Sequence, residues 1–140
     1  MGGGSYRTFD HTADLGIEVM APSFAALFET AAAALFDVLT DARAIRPRLE
    51  RHLAVTGADR VELLVRWLSE LLYLHDTEGL LFVRFRVKSI EENALSAIAE
   101  GEPYEPGRHE VRTEVKAVTY HQAAIVEASD GWLARFVIDV

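Results

Sequence analysis

The sequence predicts an α+β domain of two layers, with two helices packed on a mainly antiparallel sheet. Three observations carry this. Apolar residues recur at helical spacing in two early stretches, residues 23–40 and 59–76. From Leu80 onward the period drops to two, with Val83, Phe85 and Val87 alternating with Arg84, Arg86 and Lys88. The pair Asp130-Gly131 then signals a hairpin before a last alternating stretch. Helices that come early and strands that come in hairpins segregate into the layers of an α+β fold.

Taken in order, residues 1–5 open with three glycines and are expected to be flexible. Residues 6–11 and 15–20 read as strands around the turn-like Thr12-Ala13-Asp14. Pro22 stops the second strand and Ser23 is a good N-cap. Phe24, Leu27, Phe28, Ala31, Leu35, Val38 and Leu39 then form one helical face. The polar stretch 41–48 ends that helix, and residues 50–56 alternate as a short strand closed by Gly57. Asp59 and Glu62 stand three apart as in a capping box, and Val61, Leu64, Val65, Leu68, Leu71 and Leu72 carry the second helix to about Asp76. Leu63, Trp67 and Leu74 widen its apolar face, so this helix is expected to be largely buried. After the half-exposed strand from Leu80, Glu91-Glu92-Asn93 makes a turn into residues 94–100. Residues 101–107, with Pro103 and Pro106, are expected to form a mobile loop. Residues 111–120 and 121–128 supply further strands, and Trp132, Ala134, Phe136 and Ile138 alternate in the last.

The chain has 140 residues, which suits one domain spanning 1–140. Lys+Arg 14 against Asp+Glu 22 leaves a net charge of −8, which argues against coating nucleic acid phosphates; any role with RNA is expected to be indirect. There are no cysteines, so disulfides, thiolate metal sites and cysteine nucleophiles are excluded together. No apolar run reaches the roughly 18 residues of a membrane span and the start lacks a signal-peptide pattern, so a cytoplasmic protein is expected. Phosphate-binding G-x-x-x-x-G-K-[ST], dinucleotide G-x-G-x-x-G, nucleophile-elbow G-x-S-x-G and zinc H-E-x-x-H patterns are all missing. The five histidines are scattered rather than paired at ligand spacing.

Two segments concentrate chemistry. In Asp10-His11-Thr12-Ala13-Asp14-Leu15-Gly16, carboxylates, an imidazole and a hydroxyl cluster at a strand-to-strand turn, where such groups either face a ligand or satisfy their own backbone. At the other end, Asp139 and the main-chain or terminal oxygens of Val140 crowd negative charge, an all-oxygen set that suits Ca²⁺ or Mg²⁺. Weaker features have ordinary explanations. The basic stripe Arg84, Arg86, Lys88 reads as a solvated strand face. Glu70 sits four residues after Arg66 and is placed to pair with it. Lys116, one of only two lysines, resembles a snorkelling surface residue.

These same segments resemble the archeases. Asp10-His11-Thr12-Ala13-Asp14-Leu15-Gly16 is similar to the archease H-T-A-D-[IL]-G signature, and Trp67-Leu68-Ser69-Glu70-Leu71-Leu72-Tyr73 to its second-helix motif. Residues 114–121 resemble its E-V-K-A-[VI]-T-Y-H strand, and the ending Ile138-Asp139-Val140 is similar too. The resemblance implies a protein cofactor with no catalytic residues of its own. Its partner would be an RtcB-type RNA ligase, which joins tRNA halves in tRNA splicing and other RNA ends bearing a 2′,3′-cyclic or 3′-phosphate. The cofactor would promote guanylylation of the ligase and allow multiple turnover. Carried over, the family's divalent metal site falls on Asp14, Asp139 and Val140, and its lysine on Lys116. Glu70, His11 and His121 are weaker candidates inside the matching motifs. Two other readings of the residues are a stand-alone metal-dependent hydrolase, using Asp14 and Asp139 with His11 or His121 as base, and a chaperone-like binding module.

Overall fold

The caps expected for both helices are formed. Ser23 Oγ accepts the Ala26 N–H at 3.1 Å and opens α1 (Phe24–Leu39). Asp59 accepts the Glu62 N–H at 2.9 Å and opens α2 (Arg60–Glu78), while Glu62 reaches back to the Ala58 N–H at 2.8 Å. Gly79 ends α2 in the left-handed conformation (φ 68°), its N–H returning to the His75 carbonyl. The Trp67 indole, fully buried, donates to the Phe28 carbonyl at 2.9 Å and ties the two helices together. The computed structural model describes residues 3–11 and 14–140, and for residues 9–11 the backbone alone. Thr12 and Ala13, part of the expected turn, lie outside the described residues. No helix among the described residues is long and apolar enough to cross a membrane.

The strands form two antiparallel sheets rather than one. β1 (Ser5–His11), β2 (Asp14–Ala21), β6 (Ala117–Ala128) and β7 (Gly131–Asp139) make the first, in the order β1-β2-β7-β6. β3 (Leu49–Thr56), β4 (Leu80–Ile90) and β5 (Ala94–Pro103) make the second, in the order β3-β5-β4. The helices explain the division. α1 touches β2 and β7 of the first sheet and β4 of the second; α2 touches β6 as well as β3, β4 and β5. A helix in contact with two sheets must be apolar around much of its girth, which is why α1 buries Leu27, Ala31 and Leu35 along with Phe28, Ala32 and Phe36. From the first sheet, Ile17 opposes Phe136 and Leu15 opposes Ile138 on the core side. Two members of the basic stripe of β4 are paired, Arg84 and Arg86 both bridging to Glu100 of β5.

Two expectations are corrected between β5 and β7. Residues 101–103 continue β5 instead of opening a loop, because Gly101 passes so close to β4 that a Cβ there would run into the Leu81 carbonyl. Residues 111–116 are not strand: the Arg112 N–H bonds Leu39 O and the Lys116 N–H bonds Asp139 O, so this backbone serves as a tie and β6 begins only at Ala117. The connection 104–116 is pinned further at its middle. Glu102 shares the outward face of β5 with Glu100, yet it is fully buried because the connection folds over it. Glu102 Oε1 accepts from Arg108 at 2.7 Å, and Oε2 from the Arg46 N–H at 2.8 Å and His109 Nε2 at 2.9 Å. His109 Nδ1 accepts the Glu105 N–H, so the ring is neutral with its proton on Nε2. Arg108 also donates to Ala44 O, in the short 3-10 turn Ala42–Ala44.

Burial opposes ionisation of Glu102, but the hydrogen bonds from Arg108, Arg46 and His109 outweigh it and hold the carboxyl at about 2. Because the unfolded chain binds the proton more tightly, this stabilisation is complete above the ordinary carboxyl value and is lost as pH falls towards 2. Urea unfolding followed from pH 6 downward should show Glu102→Gln losing part of the acid slope of the wild type. The slope should not vanish, since Arg43 beside Asp41 and Arg108 beside Glu105 depress those carboxyls too. In the core, Leu68→Ala should cost about 2–5 kcal/mol with an unchanged m-value, because Leu68 is fully buried.

Candidate functional site

The register of the first sheet brings residues far apart in the sequence side by side. Asp14, the first residue of β2, lies directly opposite Asp139, the last of β7. Residues directly opposite in an antiparallel pair project to the same face with Cβ atoms about 5 Å apart, so the two carboxylates share one end of the sheet's outer face. On its other flank Asp139 faces Ala117 of β6, and on its other flank Asp14 faces His11 of β1. Ala117 has no chemistry that marks it in the sequence; only the register shows that the place beside Asp139 is taken by a small, exposed side chain.

The other candidates divide. Lys116 joins the row through its backbone, whose N–H donates to Asp139 O at 2.7 Å, and its side chain is exposed. Val140 follows Asp139 and is 37% exposed. His11 lies opposite Asp14 in the backbone register, but its side chain is outside the described residues. His121 is exposed in an irregular stretch of β6 where the pairing skips from Thr119 to Ala124. Next to it, Gln122 adopts φ 58°, a left-handed conformation unusual for a residue with a side chain. Glu70 is exposed on α2, off the sheet row; Arg66 pairs with Glu62, a turn earlier, and not with Glu70 as the spacing suggests.

The donor chemistry fits a hard divalent cation. Among the described residues no group of three His, Asp or Glu side chains gathers as a metal site. Asp14, Asp139 and the Val140 main-chain oxygen are all hard oxygens, and Ca²⁺ or Mg²⁺ takes six or more such ligands, commonly several from water. A cation held here would keep positions open for groups from another molecule.

This arrangement can be set beside known proteins. The profile of the Archease protein family (MTH1598/TM1083) matches residues 6–140. The chain belongs to the archease family. An archease of Methanopyrus kandleri is 40% identical over 138 residues, covering 96% of this chain and 99% of that protein. An archease of Pyrococcus furiosus is 43% identical over 139 residues, covering 96% and 98%. The solution structure of Methanobacterium thermoautotrophicum protein 1598 superposes with a TM-score of 0.83 at 40% identity over the whole of both chains. The crystal structure of a Thermotoga maritima archease, described as a possible chaperone, has a TM-score of 0.66 at 21% identity over 96% of each chain, a likeness of fold. The two-helix, antiparallel α+β architecture of this archease is therefore that of its family.

Two carboxylates facing each other across a ladder repel. In chelator, Asp139→Asn should melt no lower than the wild type, and any gain should shrink as salt rises and screens the pair. A melt several degrees lower would mean that Asp139 serves the fold rather than a ligand.

Proposed function

We propose that this archease is a protein cofactor of an RtcB-type RNA ligase in tRNA splicing and RNA repair, working in the cytoplasm and promoting ligase guanylylation and repeated turnover. The observation that carries the reading is the direct opposition of Asp14 and Asp139 at one end of the first sheet. Asp14, Asp139 and the Val140 main-chain oxygen would hold Ca²⁺ or Mg²⁺. The bound ion would supply charge neutralisation at phosphate oxygens, where phosphoryl transfer depends on positioning and electrostatics. The chain's own groups present and frame that site. The β2–β7 ladder fixes the two carboxylates, and the tie from Lys116 N–H to Asp139 O keeps a cationic side chain at the rim. Ala117 leaves the flank open to an approaching partner. The net charge of −8 suits docking to a basic protein and disfavours independent binding to RNA.

A stand-alone hydrolase draws less support. Its base would have to be His11 or His121, and a cation held by Asp14 and Asp139 alone would depend on groups from elsewhere. A chaperone-like module would not need the carboxylate pair at all.

Single-turnover guanylylation of the ligase separates these readings. The wild type should accelerate it, and Asp14→Ala and Asp139→Ala should each return it to the rate of ligase alone while keeping native circular dichroism. Lys116→Ala should lower the stimulation. Added Ca²⁺ or Mg²⁺ should raise the wild-type melting temperature, by about 2.7 kcal/mol of stabilisation at a hundredfold excess over Kd, and leave both Asp variants unmoved. Turnover of GTP or phosphorylated RNA without ligase, or full stimulation by both Asp variants, would overturn the proposal.

A further inference from the structure

A second feature lies next to this row and has a different chemistry. A cavity of about 350 Å³ opens between the C-terminal end of α2 and the connection 104–116. Leu39, Leu81 and Val115, all buried, give it an apolar lining. Its charged groups are Asp76, Glu110 and Glu114; among the described residues no lysine or arginine lines it. The Glu110 carboxylate is bonded to Arg112, whereas the carboxylates of Asp76 and Glu114 have no hydrogen-bond or ion-pair partner among the described residues. His75 commits its Nδ1–H to the Leu80 carbonyl at 3.0 Å, which fixes the ring at the cavity wall. Tyr104 adds an aromatic ring that is 37% exposed.

We propose that this cavity receives an arginine side chain presented by a basic partner protein. Three properties select that occupant. The volume is at the small end of ligand sites and suits one long side chain with part of its backbone. An anion, a nucleotide phosphate included, would meet three carboxylates on a chain that is already at −8. A guanidinium is more weakly hydrated than an ammonium, forks onto carboxylates and stacks on rings, so it matches an apolar cavity with acidic groups and a tyrosine better than lysine does. The place matters as well. Glu114 and Val115 immediately precede Lys116, whose N–H is bonded to Asp139, so an arginine seated here would anchor a partner beside the carboxylate row. The inference rests on the reading of the chain as a docking protein and is independent of its metal site.

The test is an NMR titration of the ¹⁵N-labelled full chain, without ligase or metal, using N-acetyl-arginine-N′-methylamide. The neutral citrulline analogue and guanosine monophosphate serve as comparisons. Saturable shifts are expected at the amides of Val111, Thr113, Glu114 and His75, with a Kd on the order of millimolar for a single side chain. Citrulline should bind about tenfold more weakly or not at all, and the pair Asp76→Asn with Glu114→Gln should weaken arginine binding to a similar degree while keeping the dispersed native spectrum. Equal binding of citrulline, preference for guanosine monophosphate, or unchanged affinity in the double variant would overturn the proposal. None of these outcomes bears on guanylylation by Asp14 and Asp139 variants, so failure here and failure of the ligase reading are separately visible.

Discussion

Pairing β2 with β7 joins strands from opposite ends of the chain, and the closure entropy of so long a loop must be repaid by what the pairing buries. The repayment is visible in the register: Leu15 against Ile138 and Ile17 against Phe136 set four large apolar side chains on the core face, where α1 covers their strands. Because side chains alternate strictly, the register that buries these pairs also places Asp14 against Asp139 on the opposite face. A slip of one residue would expose the core set and separate the carboxylates together. The opposition of the two carboxylates is thus a by-product of core packing, held by apolar contacts that have no chemistry of their own.

The connection between β5 and β6 extends the same logic to the second sheet. It starts with the Tyr104 N–H on Gly79 O, crosses Glu102, touches the end of α1 through Leu39 O, and finishes with Lys116 on Asp139 O. Glu102 is costly to bury, but it is matched by Arg108, the Arg46 N–H and a neutral His109, and its charge in turn fixes the path of the chain over it. That path sets the flank of the carboxylate row and forms one wall of the adjoining cavity. Packing in the second sheet therefore reaches the site through a single length of backbone.

Much of this was legible in the sequence, and the parts that were not share a cause. The helices, with Ser23 and Asp59 as caps, and the strands of the hairpins are written in local periodicity, and local periodicity survives into the fold. The motif residues Asp14, Asp139 and Lys116 were legible through family likeness, and their meeting at one end of the first sheet follows from the pairing of β2 with β7. The division into two sheets was not legible, because a helix apolar on several faces looks the same whether one sheet or two will cover it. Residues 111–116 carry apolar alternation, yet their N–H groups find partners in Leu39 and Asp139, distant positions that no short window contains. Glu102 has the spacing of an exposed strand residue beside Glu100; only the chain folded over it explains its burial. Glu70 shows the reverse error, since Arg66 had two partners at equal spacing and took Glu62.

The proposed ligand pair, Asp14 with Asp139, is a product of the β2–β7 register. Paramagnetic broadening by Mn²⁺ in the amide spectrum reads this most directly, because the effect falls off steeply with distance from the ion. At substoichiometric Mn²⁺ the signals of Asp14, Ala117, Asp139 and Val140 should broaden first, and Asp14→Ala should abolish the effect at Asp139 and Val140 as well as at position 14. Broadening centred on the acidic residues of the neighbouring cavity, or unchanged at Asp139 when Asp14 is removed, would contradict it.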